Sequence, residues 1–402
     1  MKIRFKGLLN ILKREVRLIA KDINIISVIL LAPLFYSFFY GAVYINKVET
    51  DIPIVIIDWD HSPTSQKLIR YFDSHQSLNI TRNATHLSEA QEMMNKGEIQ
   101  GIILIPDKFE SQLKKNQDGV IKMYLNTSRF LVSNDINKAV NEVVGYVNAG
   151  IAVKFFESKG LNYNQALNVI EPVRTDMRSL FNFTESYGDF LIPGILVLII
   201  QQTLLIGLSE SFAKEREENT IPDLFEQSNG SIFALIHGKS LFYFILYSAY
   251  SLMFFTINFY VFKIPFHGNT AALIILTFLL ILSVIYYSLL ISSFFKRKII
   301  AIQFLTLTSY PIFLMSGFSW PINTMPLFIR YLAYLIPSTP YLSAYVRITQ
   351  MGADIGHVIP ELQHLAALTI FGLLLLIIRL KYICKKETEC VYELNSTVQK
   401  HI

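Results

Sequence analysis

Phe190–Gly230 reads FLIPGILVLIIQQTLLIGLSES and then FAKEREENTIPDLFEQSNG, and the change of character at Ser211 decides the fold. The first part is almost free of charge and supplies roughly 20 mostly apolar residues, the length of one bilayer crossing at a rise of 1.5 Å per residue. The second part is amphipathic and dense in charge, too polar to enter lipid. Ile23–Ile45, Leu241–Phe262, Ala271–Phe295, Ile299–Trp320 and Leu362–Leu380 repeat the first pattern. With no water to satisfy their backbone groups, such segments must be helices. The chain is therefore expected to be an α-helical polytopic membrane protein with six transmembrane helices.

Between the first two crossings lies a polar stretch of mixed sign, Lys47–Phe183. The β-branched run Ile52–Ile57 predicts a strand, and Ser62 then caps a helix from Pro63 to Phe72. A strand near Leu78–Thr81, a helix from Ser88 to Asn95 closed by Gly97, and strands at Gly101–Ile105 and Val120–Leu125 follow. A long helix covers Asn134–Lys159, with Ile136, Val140, Val143, Val144 and Val147 on one side, and another covers Tyr163–Ile170. Strands separated by helices indicate an inserted α/β domain with a mainly parallel sheet.

Lysine and arginine in short loops set the orientation. Seven basic residues precede Asp22, Lys296–Lys298 stand between the fourth and fifth crossings, and Arg379, Lys381, Lys385 and Lys386 follow the sixth. With six crossings all of these fall on one side, so both termini are expected in the cytoplasm of an inner-membrane protein and the inserted domain is extracytoplasmic. The expected divisions are an amphipathic interfacial helix at 1–22, helix 1 at 23–46, the outer domain at 47–186, helices 2–6 at 187–382 and a cytoplasmic tail at 383–402. In the first of these, Phe5, Leu8, Leu9, Leu12, Val16 and Ile19 form an apolar stripe suited to the headgroup layer and its lipids. Between the last two crossings, the proline- and aromatic-rich 321–360 suits short interfacial or re-entrant helices on the outer side.

Little in the chain suits chemistry of its own. Gly238-Lys239-Ser240 looks like the end of a phosphate loop, but the first glycine would fall at Phe233 and no strand precedes it. Lys239 is read instead as a headgroup anchor. Asp58, Asp60 and His61 end a strand and enter a Ser-Pro turn, where they are expected to cap rather than to ligate. A net charge of +5 with no basic stripe away from the membrane loops excludes a nucleic-acid partner. The two cysteines, Cys384 and Cys390, lie beyond the last crossing and cannot staple the outer domain. Ionisable groups are almost absent from the crossings, which argues against a secondary transporter. Gln201, Gln202, Thr203, Asn258, Gln303 and Thr306 could line a translocation path or hydrogen-bond between helices. The work of transport would come from a cytoplasmic ATPase bound to the coupling segment 212–230. An envelope receptor or phage-attachment protein of the same topology would have no use for that segment.

The chain resembles permeases of the ABC-2 (type V exporter) class, in the subgroup with a large outer domain. The coupling pattern of that family, E-R-E-x-G-T-x-E-x-L, is matched in part by Glu215-Arg216-Glu217-Glu218-Asn219-Thr220-Ile221-Pro222-Asp223-Leu224. Its late outer pattern, S-G-x-x-x-P-x-x-x-M-P, is met at Ser316, Gly317, Pro321, Met325 and Pro326. Ile336–Tyr341 resembles the turn that follows, and Ile57–Ser65 the opening of the outer domain. Asn219 replaces the glycine and Pro222 an acidic residue, so the coupling helix is expected to start or kink differently. The resemblance implies a non-catalytic subunit with no cofactor of its own, ATP and Mg being held by partner ABC ATPase subunits. It implies pairing with a second copy or a paralogue, and export of a hydrophobic or amphiphilic substrate. A periplasmic adaptor protein and an outer-membrane channel are candidate further partners. It places Lys214, Glu215, Arg216, Glu217, Glu218 and Thr220 at the ATPase, the three glutamates meeting a groove on it, and the outer motif at an outer gate.

Overall fold

A computed structural model describes residues 2–43, 49–115, 117–165, 180–182, 186–264 and 266–400, with backbone alone at 2–5, 82–83 and 387–400. The chain divides into two compact units, Val48–Arg178 and Met1–Lys47 with Ser179–Ile402.

The first unit is a three-layer α/β fold. Strands β1 (Ile52–Asp58), β2 (Leu78–Asn83), β3 (Gly101–Ile105) and β4 (Lys122–Leu125) lie in the order β2-β1-β3-β4. β1 is parallel to β2 and β3, while β4 runs antiparallel to β3. Successive side chains of a strand face opposite ways, and both faces of β1 and β3 are covered, hence their unbroken apolar runs. Ile54, Ile56 and Ile103 pack with Leu68, Phe72, Ile136 and Val140, whereas Val55, Ile57 and Ile102 pack with Ala90 and Ile99. The first set of partners comes from α3 (Pro63–Asp73) and α6 (Phe130–Ser158), and Ala90 from α4 (Leu87–Asn95). A short helix, α5 (Phe109–Lys114), was not expected from the sequence; only Phe109 of it is buried.

Ser62 caps α3 as its sequence position demands: its hydroxyl accepts from Ser65 N, and Ser65 Oγ accepts from Ser62 N. Asp58 Oδ1 accepts from the backbone of Asp60 and His61, its Oδ2 accepts from Ser65 Oγ, and Asp60 Oδ2 accepts from Glu110 N. These carboxylates are turn caps. The helix expected over Tyr163–Ile170 lies largely outside the described residues.

Among the described residues the second unit holds six helices long and apolar enough to cross a membrane: α2 (Ile23–Val43), α7 (Tyr187–Glu217), α9 (Ile232–Val261), α10 (Thr270–Ser292), α11 (Lys298–Met315) and the last span, Ile355–Lys386. That last span is largely α14 (Ile359–Lys400). The chain is a multi-pass membrane protein. α7 runs six residues past the expected Ser211 and α9 starts nine before Leu241. Hydropathy marks the hydrocarbon window, whereas the helices continue into polar sequence. The central α7 packs against α10 and α11. Its span is 78% buried, against 11% for α11, most of which is left uncovered within this one chain.

Between α11 and the last span, α12 (Leu327–Tyr334) exposes Leu327, Phe328 and Tyr331, while α13 (Ser338–Thr349) buries Tyr341 and Tyr345 against α10 and α14. One helix is thus interfacial in character and the other inserted into the bundle. A basic amphipathic helix, α1 (Lys2–Lys21), precedes α2.

Candidate functional site

The charged stretch after the second crossing folds as an elbow. α7 ends at Glu217 in a left-handed turn at Asn219 (φ 54°), where Thr220 N donates to Glu215 O at 2.9 Å and Asn219 N to Arg216 O at 3.3 Å. This 6→1 and 5→2 pair is the C-terminal closure that glycine usually permits and asparagine tolerates. α8 (Ile221–Gln227) follows, with Pro222 in its first turn, where no intrahelical N–H is needed. It closes the same way: Asn229 has φ 53°, Gly230 N donates to Phe225 O and Asn229 N to Glu226 O. The two departures from the family pattern therefore keep a helix–turn–helix, and no kink results.

Beneath the elbow is a neutral cluster of four charges. Glu15 of α1 is 1% exposed, and its Oε2 accepts from the fully buried Lys239 Nζ at 2.5 Å. Its Oε1 accepts from Ser211 Oγ at 2.5 Å and Tyr243 OH at 3.1 Å. Glu215, also 1% exposed, takes a forked pair from Arg14, with Nε at 3.2 Å and Nη2 at 2.6 Å. Its Oε2 also accepts from Thr220 Oγ1, and Lys239 Nζ lies 3.5 Å from its Oε1. All four carboxylate oxygens thus meet donors, as burial of charge requires. The helices come close enough because Gly238 has no side chain: a Cβ there would lie 2.7 Å from Ile11 Cβ and 2.8 Å from Leu8 O.

Two sequence expectations are corrected here. Lys239 does not reach the headgroups; it is an internal counter-ion, because α1 folds back over the start of α9. Glu215 does not face a partner's groove, since Arg14, Lys239 and Thr220 enclose it. The stripe expected on α1 also divides, with Leu9 and Val16 exposed while Gly7, Ile11, Glu15 and Ile19 form the packed face.

A second layer fixes the rest of the elbow. Lys214 Nζ is 2.8 Å from Asp22 Oδ2, and Lys298 Nζ is 3.5 Å from the same oxygen and 4.0 Å from Glu210 Oε1. Burial pushes the Asp22 carboxyl up, but the hydrogen bond and charge of Lys214 and the charge of Lys298 outweigh it, leaving it below the usual 3.8. Arg216 Nη1 donates to Ser293 O at 2.5 Å and Phe295 O at 3.1 Å, and Glu217 Oε2 accepts from Lys298 N at 2.8 Å. Of the six coupling residues expected from the sequence, only Glu217 and Glu218 stand exposed, joined by Asp223 and Glu226 of α8.

The other expected residues are not gathered into one place. Gln201, Thr203 and Asn258 are buried within the bundle, Gln202 accepts from Ser309 Oγ at 3.3 Å, and Gln303 and Thr306 lie on the uncovered side of α11. Of the outer motif, Ser316 closes α11 by donating to Phe313 O at 2.7 Å, and Gly317 turns the chain at φ +82°. Pro321 starts a single tight turn, Ile322–Thr324, from which Met325 N bonds back to Ile322 O, and Pro326 opens α12. Among the described residues no group of three or more His, Cys, Asp or Glu could hold a metal ion.

The model of the family described as ABC-2 family transporter protein matches residues 24–381. The chain belongs to the ABC-2 family. As an ABC-2 permease it works with an ABC ATPase subunit. It is 24% identical over 343 residues to the "Probable multidrug ABC transporter permease YbhS" of Escherichia coli, covering 82% of this chain and 85% of that one. It is 22% identical over 381 residues to the "Linearmycin resistance permease protein LnrN" of Bacillus subtilis, covering 88% and 94%. A third relative, "ABC transporter G family member 20" of Dictyostelium discoideum, is 22% identical over 332 residues, 81% of this chain and 44% of its own.

Sequence reasoning missed the ABC-2 permease's Arg14, Glu15, Asp22 and Tyr243. One signal was available. Ile11, Glu15 and Ile19 follow one another at four-residue spacing, so a carboxylate sits within an apolar face of α1. Such a group requires a buried donor from elsewhere.

Proposed function

We propose that this chain is the non-catalytic permease subunit of an ATP-driven exporter, with both termini in the cytoplasm and the α/β unit outside. A second copy or a paralogue pairs with it, and two ATPase subunits dock on the elbow. The observation that carries this reading is the pairing of an exposed acidic ridge, Glu217, Glu218, Asp223 and Glu226, with a rigid buried anchor directly behind it. A partner that closes on ATP and pushes the ridge must move α7, α1 and α9 together, because charges that are buried and mutually satisfied do not separate cheaply. That converts ATP-driven closure into a rigid-body movement of the bundle. The uncovered α11, with Gln303 and Thr306 on its open side, suits the pairing face and the path of a hydrophobic or amphiphilic substrate. The words multidrug and linearmycin resistance in the names of two relatives accord with export. A periplasmic adaptor and outer-membrane channel would extend it across an envelope with two membranes.

The test replaces Glu218, Asp223 and Glu226 together by lysine. The variant is expected to enter the membrane and melt like the wild type, yet to lose co-purification of its ATPase. Undiminished recovery of the ATPase would remove the ridge from the docking surface.

A further inference from the structure

At the end of the bundle opposite α1, a cleft of about 590 Å³ opens among α7, α13, the segment after α11 and the start of α14. This is the size range of small-molecule sites, which pair apolar walls with a few placed polar groups. Phe190, Phe318, Ile322 and Val346 make the apolar side. Phe190 and Phe318 stack at 5.0 Å and 4° from parallel, and Phe318 lies so close to α7 that a Cβ on Gly194 would be 2.1 Å from its ring.

The polar side is unevenly satisfied. Arg347 Nη1 binds Glu361 Oε1 at 2.6 Å, Ser343 Oγ donates to the same oxygen at 3.3 Å, and Arg347 Nη2 is spent on His357 O at 2.5 Å. The other carboxylate oxygen, Glu361 Oε2, is shielded from solvent and meets no donor among the described residues; Thr339 Oγ1, on a residue 3% exposed, is in the same position. Leaving a buried carboxylate oxygen without a donor is costly, so the arrangement is explained by a donor from outside the chain. An anionic head would face this unneutralised oxygen, and each arm of the guanidinium already spends one N–H on an oxygen of the chain.

We propose that this cleft binds an amphiphile whose head is a hydrogen-bond donor, a primary ammonium, held by Glu361 Oε2 with its tail along Phe190 and Phe318. The ammonium can belong to a bilayer lipid or to an amine that arrives from elsewhere. The site stands whether or not the elbow binds an ATPase.

The full-length protein is reconstituted in nanodiscs of phosphatidylethanolamine or of phosphatidylcholine with the same chains, and retained lipid is counted by native mass spectrometry. The quaternary head of phosphatidylcholine has no N–H to give. Roughly tenfold preferential retention of the primary amine is expected. Glu361→Gln should abolish the preference, and Ser343→Trp, at the exposed rim, should block retention while leaving the melting temperature unchanged. In phosphatidylcholine discs, dodecylamine is compared with dodecyltrimethylammonium added from solution. Preference for phosphatidylethanolamine identifies a bilayer lipid; preference for dodecylamine alone identifies a ligand from outside the bilayer, and both uphold the site. No preference for either primary amine, or an undiminished preference in Glu361→Gln, would overturn it and leave water as the only occupant.

Discussion

The two ends of α7 handle buried charge in opposite ways. Near Glu215, two carboxylates, a lysine and an arginine form a closed set in which each carboxylate oxygen has a donor. Near Phe190, the Arg347–Glu361 pair is as short at 2.6 Å but half-open, and one carboxylate oxygen is left over. The first end is sealed and fully paired; the second is partly open, with an oxygen to spare. Distance alone does not distinguish them; burial and completeness do.

The sharpest way to break that contrast is Lys239→Met. It leaves Glu15 and Glu215 buried with only Arg14 as counter-ion, and losing one partner of a buried pair costs about 3–5 kcal/mol. A large fall in melting temperature of the purified protein is expected. Combining it with Glu15→Gln removes the uncompensated charge and should recover most of the loss. A single variant that melts like the wild type would mean that α1 is not locked to α9.

That cluster also shows where the sequence stops being informative. The six crossings, the apolar strands β1 and β3, and the Ser62 cap follow from local composition and turn chemistry, and each was legible within a short window of sequence. Glu15 and Lys239 are 224 residues apart, and no local pattern announces that they meet. Lys239 beside a crossing looks like an anchor, and Glu215 among other acids looks like a docking contact, until α1 is folded back over both. The elbow's location was readable; which of its charges point inward was not. The outer motif was legible for its proline and glycine turns, whereas Arg347 and Glu361 carried no sequence signal that would pair them.

At the edge of the closed set, Asp22 tests the same end more gently. Its folded carboxyl is held below 3.8 by Lys214 and Lys298 against the opposing pull of burial. A depressed carboxylate stabilises the fold above its unfolded pKa, and the contribution is lost as pH falls through the folded value. Asp22→Asn should therefore lower the melting temperature at pH 7, by less than Lys239→Met does. The gap to the wild type should close as the pH is taken below about 3.8. A gap independent of pH would assign the loss to packing instead.

The smallest effect is expected at the opposite end. The side chain of Arg347 is 37% exposed and that of Glu361 17%, so solvent on the arginine side screens the pair and can reach Glu361 Oε1 once Arg347 is removed. Arg347→Met should then cost about 1 kcal/mol or less, as partly exposed pairs do, and the melting curve should barely move. Measured beside Lys239→Met, it asks whether two ion pairs at the two ends of one helix differ in energy because one is sealed and the other open. A loss at Arg347 equal to that at Lys239 would show the cleft to be as tightly braced as the elbow. The leftover oxygen of Glu361 would then be a strained part of that brace, with no room beside it for a ligand.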